Sequence, residues 1–330
     1  MINKKRILFL TFLISLGLLL GACAPAATPT EPTAQAETDP TEIPEPTEEP
    51  QPEIMTFVDD LGNTIEFNEY PQAIVSISAS STEILFAIGA GDQVVGRDDY
   101  SLFPEEALDV TSVGALWGEL PTETIIAMEP DLILAAEIIS GDQVKALQDL
   151  GLNVYWQANP TTYQELWGNL RDIALLTGHE DETEILIAGL DARVKAVQER
   201  ISSTSDRPSI FYELDATDPT NPWTSGAGTF IDYIISEAGG LNAASALEGD
   251  YAQISAEELV ASNPDVILLA DALYGVTPES VAERPGWDVI TAVMNGAIYP
   301  IDPNMMSVPG PRLVLALEET AKLLHPELDN

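Results

Sequence analysis

Apolar and polar positions along this chain follow two rhythms. Short aliphatic strings such as "AIVSIS" (Ala73 to Ser78), "DLILAA", "SIFYEL" and "DVILLA" carry no polar alternation, which marks strands buried on both faces. Between them run segments with helical spacing. "ASSTEILFAIGAG" predicts a helix capped by Ser81 or Thr82 and closed by Gly89 and Gly91. "TYQELWGNLRDIALLTG" predicts a second, ended by Gly178. "EDETEILIAGLDARVKAVQERIS" predicts a third, roughly 35 Å long. Its apolar positions are Ile185, Leu186, Leu190, Val194, Val197 and Ile201, and acidic residues load its start. "FVDDLGNTIEF" reads as a hairpin with Gly62 and Asn63 in the turn. Alternating strand and helix predicts parallel sheets covered by helices, so the chain reads as two similar α/β lobes joined by the long helix.

One phrase occurs twice. "ETIIAMEPDLILAAE" runs from Glu123 to Glu137, and "EELVASNPDVILLAD" from Glu257 to Asp271. Each predicts a helix, a Pro-Asp break and a buried strand, one unit per lobe. Each opens on a glutamate in the first helical turn, where the helix dipole alone favours a negative charge by about 0.3–1 kcal/mol.

The first residues differ in kind. "MINKKRILFLTFLISLGLLLGAC" has a cationic start, an apolar run from Ile7 to Leu20 and small residues before Cys23. The run is short for a membrane span and has the layout of a secretory signal. "LGAC" resembles the bacterial lipobox, and the resemblance implies that Cys23 is a lipidation site and membrane anchor, with an apolar anchor that stays in place as the alternative. Residues 24 to about 53 are rich in Pro, Thr, Glu and Ala and nearly free of large apolar residues, so they cannot form a core. They read as an extended tether reaching up to about 90 Å, with a glycosylated stalk as the alternative. The expected boundaries are 1–22 signal, 23–53 tether, 54–161 first lobe, 162–204 helical segment and 205–330 second lobe.

Composition narrows the chemistry. With 13 Lys+Arg against 54 Asp+Glu, the net charge of -41 argues against nucleic acid and against electrostatic docking on anionic lipid. Cys23 is the only cysteine and there are two histidines, His179 and His325, both expected at the surface. No cysteine-based metal site, multi-histidine site or Ser-His-Asp triad is credible. No catalytic residue, resident metal or cofactor is expected. In parallel sheets ligands lie beyond the carboxyl ends of the strands. The loop from Ser78 to Thr82, with Ser80 and Ser81, and the loop from Trp223 to Thr229 belong there. "TSGAGT" in the second is either a tight turn before a helix or a set of backbone N–H groups facing a ligand. Tyr100, Trp117, Trp223 and Tyr251 also fall at strand and helix ends, whereas Trp156 and Trp167 sit in periodic segments and belong to the core; Trp287 is ambiguous. An aromatic-lined cleft suits a large, flat, partly apolar ligand.

"IVSISASSTEILFAIGAGDQVVGRDDYSLFPEEA", "VGALWGELPTETIIAMEPDLIL", the linking helix, "ISAEELVASNPDVILLAD", "YGVTPESVAERPGWDVITAVMNGAIYPID" and "PGPRLV" together resemble the helical-backbone (class III) substrate-binding proteins of ABC importers. The resemblance covers nearly everything from Phe57 to Glu327. It implies two Rossmann-like lobes bridged by one rigid helix. It implies a metal-chelate ligand in the cleft (cobalamin or another corrinoid, ferric siderophore or haem) and an ABC permease dimer with its ATPase as partner. In cobalamin-binding members one glutamate per lobe docks on the permease; Glu123 and Glu257 hold those places. Ligand contacts implied here are Ser80, Ser81, Tyr100, Trp117, Trp223, Tyr251, Met305 and Arg312. The chain departs from the cobalamin pattern in "AAEIISGD", which lacks a tryptophan, and in "PNMMSVPGPR", which lacks an aspartate and an arginine. Arg97, Arg284 and Arg312 are the cations that an anionic siderophore would use. A monomeric, lipid-anchored, extracytoplasmic binding protein is expected, corrinoids favoured; a siderophore or haem binder, or a ligand sensor docking on a receptor, is the alternative.

Overall fold

The computed structural model describes residues 54–329, Trp117 and Glu119 excepted. The signal, Cys23, the tether and Trp117 lie outside the described residues. No helix among the described residues is long and apolar enough to cross a membrane.

The expected hairpin is present: β1 (Met55–Val58) pairs antiparallel with β2 (Thr64–Phe67). Asp59 holds its turn by accepting from the backbone N–H groups of Leu61 and Asn63, and its other oxygen accepts from Trp156 N–H. The first lobe then unfolds as β3 (Ile74–Ile77), α1 (Ala79–Ala87), β4 (Val94–Asp98), β5 (Ser112–Gly114), α2 (Thr122–Ala127), β6 (Leu132–Ala136), α3 (Gly141–Gln148) and β7 (Val154–Gln157). Its five strands lie in the order β5-β4-β3-β6-β7, and every pair is parallel. Every residue of β3 and β6 is buried, as helices on both faces require.

Two helices follow, α4 (Tyr163–Thr177) and α5 (Glu180–Ile201). Gly178 ends α4 in the left-handed conformation, φ 77°. The 22 residues of α5 span about 33 Å. Its buried face is Thr183, Ile187, Leu190, Val194, Val197 and Ile201. Ile185, expected on that stripe, is 76 % exposed. It lies two residues from Ile187, about 200° around the helix, and so points to solvent.

The second lobe comprises β8 (Ser209–Glu213), β9 (Trp223–Ser225), α6 (Phe230–Glu237), β10 (Leu241–Asn242), β11 (Tyr251–Gln253), α7 (Ala256–Ser262), β12 (Val266–Leu269), α8 (Pro278–Ala282), α9 (Thr291–Asn295), β13 (Ile298–Pro300), α10 (Pro303–Met306) and α11 (Leu313–Leu324). Its main sheet is parallel, in the order β10-β8-β12-β13. β9 and β11 form a separate antiparallel pair over its carboxyl end. The architecture is therefore two Rossmann-like lobes bridged by α5. One apolar core runs through both, joining Leu85 of α1, Leu170 of α4, Leu190 of α5, Ile235 of α6 and Leu317 of α11. Separate clusters lie on the far side of each sheet.

Three local expectations need correction or completion. Ser78 caps α1, its side chain accepting from Ser81 N–H, so Ser81 and Thr82 lie inside the helix. His325 is buried, 1 % exposed, because the end of α11 packs on the end of α6; its Nε2 lies 3.4 Å from the Gly239 carbonyl. Trp287 is core: Phe211 meets it edge-on and Arg284 lies over its ring. Trp156 and Trp167 are buried as their periodicity predicts.

Candidate functional site

The strand order reverses direction between β3 and β6 in the first lobe and between β8 and β12 in the second. Loops leaving the carboxyl ends of such neighbours diverge and leave a crevice. Between the lobes at this level lies a cavity of about 90 Å³. Ala79, Tyr100, Leu102 and Phe103 line it from the first lobe, and Asn304, Val308 and Arg312 from the second. A wider groove, about 780 Å³, opens at the amino end of β4 and is lined by first-lobe residues, Asp92, Glu106 and Asp109 among them. The inter-lobe cavity is the better candidate, since both lobes build it and it lies where the strands' carboxyl ends meet.

Of its lining, Tyr100, Leu102 and Phe103 are exposed apolar side chains. Also exposed are Ile138, which follows β6, Trp223 and Tyr251 on the β9–β11 pair, and Leu273 and Tyr274, which follow β12. Tyr274, 86 % exposed, follows β12 in a 3-10 turn over Asp271–Tyr274. Tyr100, Leu102 and Phe103, left uncovered beside the cavity they line, mark a ligand wall. Tyr251 is 43 % exposed as a whole residue, yet partial desolvation of its phenol, with Asp250 and Glu137 adding repulsion, pushes it up to about 12, so it stays neutral. Glu137 belongs to the first lobe, so Tyr251 feels a charge across the cleft.

Tyr100 is held from below. Its backbone N–H donates to Asp98 Oδ1 at 2.7 Å, and Ser101 Oγ donates to Asp98 Oδ2 at 2.6 Å. Burial raises the Asp98 carboxyl, with both hydrogen bonds opposing. Thr82 Oγ1 lies 2.8 Å from Ser101 Oγ and donates to Ser76 Oγ, which ties the Tyr100 loop to β3.

The structure brings Tyr100 and Arg312 to one cavity and leaves Trp223 and Tyr251 on the β9–β11 pair. Ser80 Oγ is bonded to Ser78 Oγ, and Ser81 is 1 % exposed within α1. Met305 packs in the shared core, while Asn304 beside it lines the cavity. In "TSGAGT", Gly226 N–H donates to the Asp250 carbonyl and Gly228 N–H to Asp232. A Cβ at Gly226 would meet the Gly249 carbonyl at 2.3 Å, so the glycine is there for the approach of β11.

Arg312, which lines the cavity, and the other two candidate arginines, Arg97 and Arg284, are already engaged. Arg284 grips Glu213 with two donors, at 2.5 and 2.8 Å. Arg312 gives Glu83 its backbone N–H and its Nε, both at 2.7 Å. Arg97 donates to the carbonyls of Ala107 and Asp98. Burial raises the Glu83 and Glu213 carboxyls, with the neighbouring Asp271 adding to the rise at Glu213 and the arginines opposing it at both. Both oxygens of each accept from N–H donors, which is the geometry of a carboxylate. Among the described residues no group of three or more His, Cys, Asp or Glu is placed to hold a metal ion.

Sequence reasoning missed Leu102, Phe103, Leu273, Tyr274 and Glu83. A Leu-Phe before Pro104 and a Leu-Tyr before Gly275, each just past a strand, were the available signal.

Glu123 and Glu257 are each the second residue of their helix, α2 and α7, and both are exposed. The repeat holds in detail behind them. Glu129 and Asn263, one residue before each Pro-Asp, are the two non-glycine residues with positive φ among the described residues, 48° and 47°. Asp131 then accepts from Gln72 and Ala73 N–H, and Asp265 from Ser209 N–H, each clamping the start of the neighbouring strand.

Comparison with known proteins agrees with this architecture. Residues 74–305 match the family model described as periplasmic binding protein. An uncharacterized ABC transporter substrate-binding lipoprotein, YvrC of Bacillus subtilis, is 32 % identical over 82 % of this chain and 85 % of its own. A cobalamin-binding protein of Halobacterium salinarum is 27 % identical over 81 % of this chain and 73 % of its own. The solved periplasmic heme-binding protein RhuT of Roseiflexus superposes with a TM-score of 0.70 at 25 % identity, covering 78 % of this chain and 99 % of that one. With the family model matched over residues 74–305 and a relative 32 % identical over most of both chains, this chain belongs to the periplasmic binding protein family.

Proposed function

We propose that the protein is the extracytoplasmic binding component of an ABC importer, held to the membrane by lipid on Cys23 through the 23–53 tether. It captures a corrinoid, cobalamin foremost, between its lobes and presents it to a permease dimer through Glu123 and Glu257. One observation carries the choice of ligand: a cleft walled by Tyr100 and Phe103 whose lining arginine, Arg312, is engaged by Glu83, as Arg284 and Arg97 are engaged elsewhere in the protein. A ligand with carboxylates must lose its hydration on entry, and an arginine already paired with Glu83 repays little of that loss. A corrinoid displays uncharged carboxamides around an apolar ring, and their desolvation costs far less than that of a carboxylate. The name of the Halobacterium relative supports the same reading.

A haem is the second reading, favoured by the likeness to RhuT. Titration with cyanocobalamin, haemin and several ferric siderophores, followed by quenching of tryptophan fluorescence, separates the two. We expect quenching by cyanocobalamin at the lowest concentration. Tighter binding of haemin or a siderophore would replace the corrinoid reading.

A further inference from the structure

We propose that Glu83 is a specificity-determining residue: by neutralising Arg312 at the floor of the cleft, it makes the site select uncharged macrocycles over carboxylate-bearing ones. This rests on the reading of the inter-lobe cleft as the ligand site, and it concerns a residue that touches the ligand only through Arg312.

Glu83 sits within α1 of the first lobe and is 1 % exposed. Its two oxygens take Arg312 Nε and backbone N–H at the start of α11, in the second lobe. The chain has made room for this. A Cβ at Gly310 would fall 2.9 Å from the Glu83 carboxyl carbon, so only glycine lets the α10–α11 turn close over the pair. Phe103 lies against the guanidinium, 4.0 Å from ring centroid to Cζ, and fixes its plane. Glu83 takes Nε and the backbone N–H and Phe103 lies against the guanidinium; among the described residues no hydrogen bond from the two Nη groups is found, and Arg312 lines the cavity with Tyr100 and Asn304.

This arrangement separates two properties of an arginine. The Nη groups remain hydrogen-bond donors, at fixed positions, for an acceptor such as an amide carbonyl. Their positive charge is cancelled by a carboxylate a few ångströms behind. A ligand carboxylate entering the cavity therefore meets the field of a pair rather than of a cation. Its desolvation goes uncompensated, while a neutral acceptor gets nearly the same hydrogen bond. Discrimination arises from what is withheld from the wrong ligand as well as from what is offered to the right one.

The test uses matched pairs of ligands on the full chain. One pair is a corrinoid with its side-chain amides intact and the same corrinoid with them hydrolysed to carboxylates. The other is haem dimethyl ester and haem. For whichever macrocycle binds, the wild type should prefer the uncharged member by about tenfold or more, and Glu83→Gln should narrow that preference to about threefold or reverse it. The double variant E83Q/R312Q, which removes both charges, should recover preference for the uncharged member; loss of packing alone would not be rescued this way. If Glu83→Gln does not fold, Glu83→Asp, which draws the carboxylate back from Arg312, should narrow the preference in the same sense but less. A preference unchanged within twofold in the folded variant overturns the inference and leaves the corrinoid reading standing. Binding of the haem pair alone, with the preference narrowed, upholds the inference and ends the corrinoid reading. No binding of either pair by the wild type overturns both.

Discussion

Asp131 and Asp265 illustrate how a residue can be scaffold in one sequence context and be repeated for that reason. Each follows a proline that ends a helix, and each turns its carboxylate on the backbone N–H groups that open the adjacent strand. Both are exposed, so their hydrogen bonds compete with water and should be worth less than buried charged ones. Asp131 accepts two backbone N–H groups from β3's approach and Asp265 one from β8's. Asp131→Ala should therefore destabilise the folded part by about 1–2 kcal/mol, and Asp265→Ala by about 1 kcal/mol or less, in urea denaturation monitored by circular dichroism. Equal effects, or none, would mean that the clamps contribute no more than the turn itself. The Pro-Asp units were legible because all their signals are local. The Glu83–Arg312 pair was not, since its partners stand 229 residues apart and the glutamate looks like any polar interruption in "SSTEILFA".

At the scale of elements, α5 decides how the lobes behave toward each other. It packs against α4 on one side and against α11 and α6 on the other. Arg193 grips Glu318 of α11 with two donors, at 2.8 and 2.6 Å. The apolar residues beneath belong to one core that continues from α1 to α11. A hinge would have to open that core, so the bridge opposes large rotation of the lobes. Leu190→Ala should cost about 2–5 kcal/mol, whereas Ile185→Lys, on the solvent side, should stay within about 0.5 kcal/mol of wild type. Chemical denaturation of both variants checks this; a large loss at Ile185 would reverse the assignment of faces. The element itself was plain from its length and acidic start. Its buried face was not fully so, because apolar residues at 185, 186, 187 and 190 fit two overlapping stripes, and only packing on α4 and α11 selects one.

For the whole molecule, the shared core gives the repeated glutamates a consequence that neither has alone. Glu123 and Glu257 occupy the same position of equivalent helices, one in each lobe, on a body whose lobes are held together by α5. Two exposed carboxylates on a rigid body are presented at a fixed spacing, and a two-fold partner with one basic pocket per subunit can engage both at once. On the proposed docking role, the second contact would form at high effective concentration, so the pair would bind more tightly than either contact alone. The helix-dipole account of these glutamates makes a different forecast, since it concerns folding stability and gives no role to a partner. Substituting arginine at both positions discriminates between them. Glu123→Arg with Glu257→Arg should abolish complex formation with the permease and abolish uptake, while ligand affinity measured on the free protein stays at the wild-type value. Each single substitution should weaken the complex and leave some of it measurable, because one contact persists. Normal uptake by the double variant would end the docking role; lost ligand affinity would show that the substitutions disturb the lobes instead.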